Sequence, residues 1–228
     1  MSYIWNNFNI KTFPSETLVY LDGVYQDMYS TLDESEYILK KYDLPIHIIY
    51  IGNLEKKNTL NINLISPSQP VFLTVNIKNK MPAFLDIFIK NAGKNSTIRG
   101  HIICENSSKL SVNIVAEHDA PKSEILLQAK IIGKKDSYSE LSGTAIINPN
   151  CTDCNSDIKF SGYAADDSAK IRFIPKQRIL AVPESAEHSA SILHIKPDQE
   201  NYLRTAGLGG AEVKEAMIEA FTKDFNLF

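Results

Sequence analysis

The sequence has little charge imbalance, few cysteines and no long apolar run, and each shortage removes a class of function. Its 228 residues carry 24 Lys and Arg against 27 Asp and Glu, a formal net charge of −3. That leaves no basic footprint for nucleic acid or for an anionic membrane surface, so neither is expected as a partner. No apolar stretch approaches the roughly 20 residues that a membrane-spanning helix needs. Three cysteines, Cys104, Cys151 and Cys154, are an odd number and too few for a disulfide framework in a chain of this length. The opening residues Met1–Asn7 lack the basic stretch and apolar core of a secretory signal. A cytoplasmic protein with reduced thiols is the expectation. No Gly-rich phosphate loop occurs, so any ATP in the system is expected on a partner.

Apolar residues make up 43% of the chain and charged residues 22%, the balance of a soluble domain with material for one sizeable core. Residues 1–44 are mixed. Thr17–Tyr25 sets Asp22 and Gly23 between two apolar runs, a hairpin signal because glycine accepts positive φ. Thr31 and Glu34 have capping-box spacing and predict a short helix over 32–41. From 45 onward strand patterning takes over and runs to about Val182. Leu60, Ile62 and Leu64 alternate with Asn61 and Asn63, and Leu73, Val75 and Ile77 follow the same rule. So do Ile87 and Ile89, then Val112 and Ile114, then Leu127, Ala129 and Ile131. A period of two sends one set inward and the other outward. Turn-rich pieces such as Asn91–Ser96 and Gly133–Ser137 separate the runs, and no amphipathic helix interrupts them. The series suits an antiparallel sandwich or a β-solenoid, and periodicity does not choose.

Residues 196–228 read as helical. Pro197 and Asp198 open a short helix that Gly207 can close in the left-handed conformation. A second helix follows Gly209 and Gly210, with Val213, Ala216, Met217, Ala220 and Phe221 forming an apolar stripe.

This C-terminal stretch carries a family resemblance. Glu187–Ser191, then Pro197–Leu208, then Ala216–Phe221 resemble the closing signature of the SufB/SufD family: a histidine, small residues, an acidic-Gln segment, Tyr-Leu, an Arg-Gly turn and a helix ending in Phe. Leu18–Tyr25 is similar to the hairpin that begins the SufD core. The resemblance implies a mainly β protein, with a right-handed parallel β-helix core over 45–195. The hairpin and short helix of 1–44 would precede the core, and a helical ATPase-docking segment over 196–228 would follow it. It implies a non-enzymatic scaffold for iron–sulfur cluster assembly in a SufBCD-type complex. The partners would be a SufC-like ABC ATPase, a second β-helix subunit (self or paralogue) and a sulfur donor protein. The cofactor would be a transient iron–sulfur cluster of 4Fe-4S or 2Fe-2S type. Ala206 stands where the family has the arginine of the Arg-Gly turn, and the chain is shorter than SufB proteins.

Cys151 and Cys154 are the sharpest local feature, since two thiolates three positions apart in a turn can converge on one iron. No second such pair exists to complete a structural zinc site, and no βαβ setting suggests a thioredoxin-type couple. They are structural thiols or cluster ligands; the family places a cluster-associated cysteine upstream of the C-terminal histidine, where Cys154 stands. His188 falls where the family has a functional histidine at its subunit interface; a hydrogen-bonded structural role is the alternative. Ser189 replaces the glutamate that follows this histidine in SufB-type chains, and Glu187 can substitute only if the backbone aims it inward. The metal-binding expectation is therefore Cys154 and His188, with Cys151 and Glu187 assisting. Cys104 resembles the SufB cysteine that accepts persulfide sulfur, or is a buried thiol; alternation puts Arg99 and His101 on the opposite face. His47, His101, His118 and His194 take structural readings, and Asp166 with Asp167 reads as a solvated turn rather than a glycosidase pair. Two other functions stay open: a SufD-like partner without its own cluster, and a carbohydrate-active β-solenoid.

Overall fold

The computed structural model describes residues 17–21, 24–26, 46–53, 59–66 and 70–223. The predicted helix over 32–41 lies outside them. Strands β1 (Thr17–Leu21) and β2 (Val24–Gln26) pair antiparallel around positions 22 and 23, as the Asp-Gly signal requires. After them come β3 (Ile46–Asn53), β4 (Thr59–Ser66), β5 (Val71–Asn79), β6 (Ala83–Asn91), β7 (Thr97–Asn106) and β8 (Lys109–His118). The series continues with β9 (Glu124–Gly133), β10 (Tyr138–Ile147), β11 (Asn155–Ala164), β12 (Lys170–Ile179) and β13 (Ser185–His194). Every pairing from β3 onward is parallel and skips one strand. Odd strands, with β2 at the edge beside β1, form one sheet, and even strands from β4 to β12 the other. Successive strands therefore alternate between two facing sheets, which is a β-helix and excludes the antiparallel sandwich. Alternation continues into β13, beyond the Val182 limit of the sequence pattern. That last strand is largely exposed, so nothing obliges its residues to alternate in polarity.

The core is a stack of columns. Val75, Ile102, Ala129 and Phe160 share one register position; Leu73, Gly100, Leu127 and Ile158 share another. The facing sheet stacks Leu85, Val112 and Leu141, and Ile87, Ile114 and Gly143. The predicted inward residues Leu73, Val75, Ile87, Ile89, Val112, Ile114, Leu127 and Ile131 are all buried. Gly143 is glycine for a spatial reason: an added Cβ would lie 2.2 Å from Cζ of Phe160 on the opposite sheet. Where polar residues enter a column they form ladders; Asn79 Nδ2 donates to Asn106 Oδ1 at 2.7 Å, and Asn106 Nδ2 to Ser139 Oγ at 2.8 Å.

Helix α1 (Pro197–Thr205) begins with proline, which has no N–H to satisfy, and Gly207 after it has φ of +97°. Helix α2 (Gly210–Lys223) lays Met217, Ile218 and Phe221 against Ile103, Ile132, Tyr163 and Ala165 on the outer face of the odd sheet. Lys130 on β9 ties its end down, donating to the Phe221 carbonyl at 2.6 Å with its ammonium 5.0 Å from that ring. Lys214 pairs with Asp166 at 2.8 Å near the other end. Among the described residues no helix is long and apolar enough to cross a membrane.

Candidate functional site

One corner of the β-helix repeats coil after coil. Residues Asn95, Lys122 and Asp153 have φ near +57°, and each immediately precedes Ser96, Ser123 or Cys154. Those three precede the register-matched residues Thr97, Glu124 and Asn155, so they form one column. Ser96 Oγ donates to the Gly93 carbonyl and Ser123 Oγ to the Ala120 carbonyl, both at 2.8 Å. Cys154 takes the third place, its Sγ 3.3 Å from the Ala120 carbonyl and 3.3 Å from Ser123 Oγ. Cys151, in the same turn, donates to the His118 carbonyl at 3.2 Å. Both thiols are buried among Ile147, Ala181 and Ala186. Burial pushes the Cys151 thiol up to about 11, and the neighbouring Cys154 adds to the shift.

His118 belongs to this corner. Its Nδ1 lies 2.8 Å from Ser123 Oγ. The serine's single hydrogen goes to the Ala120 carbonyl, so the imidazole nitrogen is the donor and Nε2 keeps its lone pair. That Nε2 is buried and without a partner, and burial lowers the His118 pKa to about 4. Sequence reasoning left His118 among the structural histidines. The signal was in the sequence, because Asn91 with Ser96 and His118 with Ser123 repeat the same five-residue step into successive turns.

His188 sits elsewhere. It occupies the β13 place in the column of Leu73, Gly100, Leu127 and Ile158, and its ring centroid lies 6.3 Å from that of Phe160. Nε2 of His188 is buried with no partner, and burial holds the ring below its ordinary pKa, with Asp157 opposing. The imidazole is thus neutral near pH 7, with the lone pair of one ring nitrogen available for metal or proton. Strand alternation turns Glu187 to the outer face, beside Asp157 in register; the Asp157 hydrogen bond raises the Lys159 pKa, and Glu187 adds to that shift. Glu187 and His188 therefore face opposite ways.

The thiol corner and His188 are neighbours without converging. His188 pairs in register with Ile158, four residues past Cys154, or about 13 Å along the strand. Among the described residues no three His, Cys, Asp or Glu side chains converge as a metal site. Cys104 is further off. It faces inward between Ile77 and Ile131 and belongs to the column of Gly162, eight residues and about 26 Å along the strand from Cys154. Burial pushes its thiol up to about 12, and Arg99 and His101 alternate to the other face.

The β-helix ends at β12 and β13, each paired on one side only among the described strands. Ile179, Leu180, Val182, Ile192 and Leu193 are exposed there, with Val182 at 77%. His188 lies in the outermost coil of this open end.

Residues 71–221 match the family model described as SUF system FeS cluster assembly, SufBD core domain. The match spans β5 to α2 and contains Cys104, Cys151, Cys154, Glu187 and His188. No curated protein matches the chain.

Proposed function

The chain belongs to the SufBD core family of the SUF system for FeS cluster assembly, and from that premise we propose that it is a scaffold subunit on which a cluster is assembled or from which it is passed on. The cluster is its cargo. The observation that carries the reading is His188: a neutral imidazole with an unpartnered buried nitrogen, in the last coil of a β-helix whose end is apolar and whose edge strands have one neighbour each among the described strands. An open strand edge is a template for another chain, and a second β-helix subunit, a copy or a paralogue, would cover it. Among the described residues fewer than three donors converge, so the interface would complete the ligand set around His188. Nitrogen ligation raises cluster potential relative to thiolate alone.

Cys151 and Cys154 are soft donors of the kind iron takes, and they lie in the corner covered by the last coil. Their burial means that a loaded state needs that coil to shift or the partner to reshape it. An ABC-type ATPase would drive such a movement from the exposed sides of α1 and α2, where Tyr202 is 73% exposed and Glu215 faces solvent. The apolar stripe of α2 is already used against the odd sheet. Cys104 would accept sulfur only if the packed column around it opens, because its thiol is both enclosed and hard to ionise.

Anaerobic reconstitution with iron and sulfide tests the proposal, with iron content and visible spectrum as readouts. His188→Ala should lose most of the bound iron, and Cys154→Ser in a Cys151→Ser background should lower it further. Light scattering should show association through the open end, with α1 and α2 needed for the ATPase. A second reading has an observation of its own: all three thiols are buried and Glu187 faces outward. That favours a SufD-like structural partner, and iron loading unchanged in the His188 and double-cysteine variants would put that reading first.

A further inference from the structure

The outer face of the odd sheet holds a groove of about 740 Å³ between strands β9, β11 and β13 and the two helices. It is separate from the thiol corner and from the inward-facing His188. Three lysines line it, Lys130, Lys159 and Lys196, and no carboxylate is among its lining residues. Its apolar wall is aromatic and sulfur-bearing: Tyr163 and Phe221, with ring centroids 5.8 Å apart, and Met217. Tyr163 is 2% exposed, and its buried hydroxyl has no hydrogen-bond partner.

The volume falls in the range of small-molecule sites, roughly 300 to 1,000 Å³, and such sites combine an apolar wall with a few convergent polar groups. Lys130 already donates to the Phe221 carbonyl, and Lys159 is held by Asp157 at 2.5 Å. A singly charged carboxylate would gain little against those contacts, whereas a phosphate dianion can bridge several ammonium groups at once. The geometry points to a binding site for a small organic anion in which a flat apolar ring carries a phosphate. The ring would lie on Leu193, Met217 and Phe221, and the phosphate would sit among the lysines. Ser161 and Gln199, which also line the groove, add neutral polar groups to the site.

The test uses the full chain and calorimetry with phenyl phosphate, with inorganic phosphate and phenol as its two halves. Phenyl phosphate should bind at least about tenfold more tightly than either half, since each half forfeits one set of contacts. Ala220, exposed on α2, lines the groove, and Ala220→Trp should fill it and weaken binding by about tenfold or more. Circular dichroism should show Ala220→Trp folded. Phenyl phosphate binding no better than inorganic phosphate, or binding undiminished in folded Ala220→Trp, overturns the assignment. The groove does not depend on the cluster reading, and iron loading should be unchanged in Ala220→Trp.

Discussion

Gly143→Ala is the sharpest probe of how the two sheets are matched, and it reaches the candidate site. The new Cβ would stand 2.2 Å from Phe160 Cζ and 3.0 Å and 3.2 Å from its Cε atoms, so the ring must move. Phe160 is not at liberty to swing, because it is fully buried, with Phe173 5.7 Å away on one side and His188 6.3 Å on another. Overpacking a core by one methyl costs about 1–3 kcal/mol. Reduced freedom of the unfolded chain returns about 0.4–1 kcal/mol when alanine replaces glycine. The net loss should be about 1–2 kcal/mol, or about 2–8 °C in melting temperature for a domain of this size. Urea unfolding of Gly143→Ala, Phe160→Leu and the double variant measures it. The double variant should be about 1 kcal/mol more stable than the sum of the singles predicts, because the methyl occupies space the ring tip vacates. The His188 imidazole resonances should also move in Gly143→Ala. A Gly143→Ala protein as stable as wild type, or strictly additive single effects, would refute the packing argument.

Other outcomes follow from the same structure. His118 is held neutral at a pKa of about 4 against an ordinary 6.5, so the unfolded chain binds the proton more readily. Its contribution is fully present above pH 6.5 and is lost as pH falls towards 4, about 3 kcal/mol in all. His118→Asn, which copies Asn91 at the same place one coil earlier, should flatten urea-measured stability between pH 7 and pH 4.5; an unchanged slope would exonerate His118. Cys154→Ser should cost less than about 1 kcal/mol in thermal melts, because Ser96 and Ser123 fill the equivalent positions, and any large loss of iron would then be a ligand effect. A thiol reagent at pH 8 should leave Cys104 untouched in the native protein and label it only on unfolding, since burial pushes that thiol up to about 12; rapid native labelling would place it at a surface.

Much of this protein is written locally. Alternation in Leu73–Ile77 or Leu127–Ile131 fixes which side chains face inward, because successive residues of a strand must point to opposite faces. The same rule sets Arg99 and His101 apart from Cys104. Pro197 and Gly207 bound α1, and the stripe from Val213 to Phe221 foretells the buried side of α2. The C-terminal signature identified the family, which the match over 71–221 shows. Other features exist only once coils stack. A period of two is shared by parallel and antiparallel sheets, so it could not distinguish a sandwich from a β-helix. The column of Ser96, Ser123 and Cys154 joins residues about thirty apart through a register that no local pattern states. The unpartnered nitrogens of His118 and His188, the separation of Cys154 from His188, and the meeting of Gly143 with Phe160 depend on which coil lies above which. Local sequence sets the face a residue takes; distance across the stack is a property of the closed fold, because strand pairing and the gap between sheets join positions that the chain itself keeps far apart.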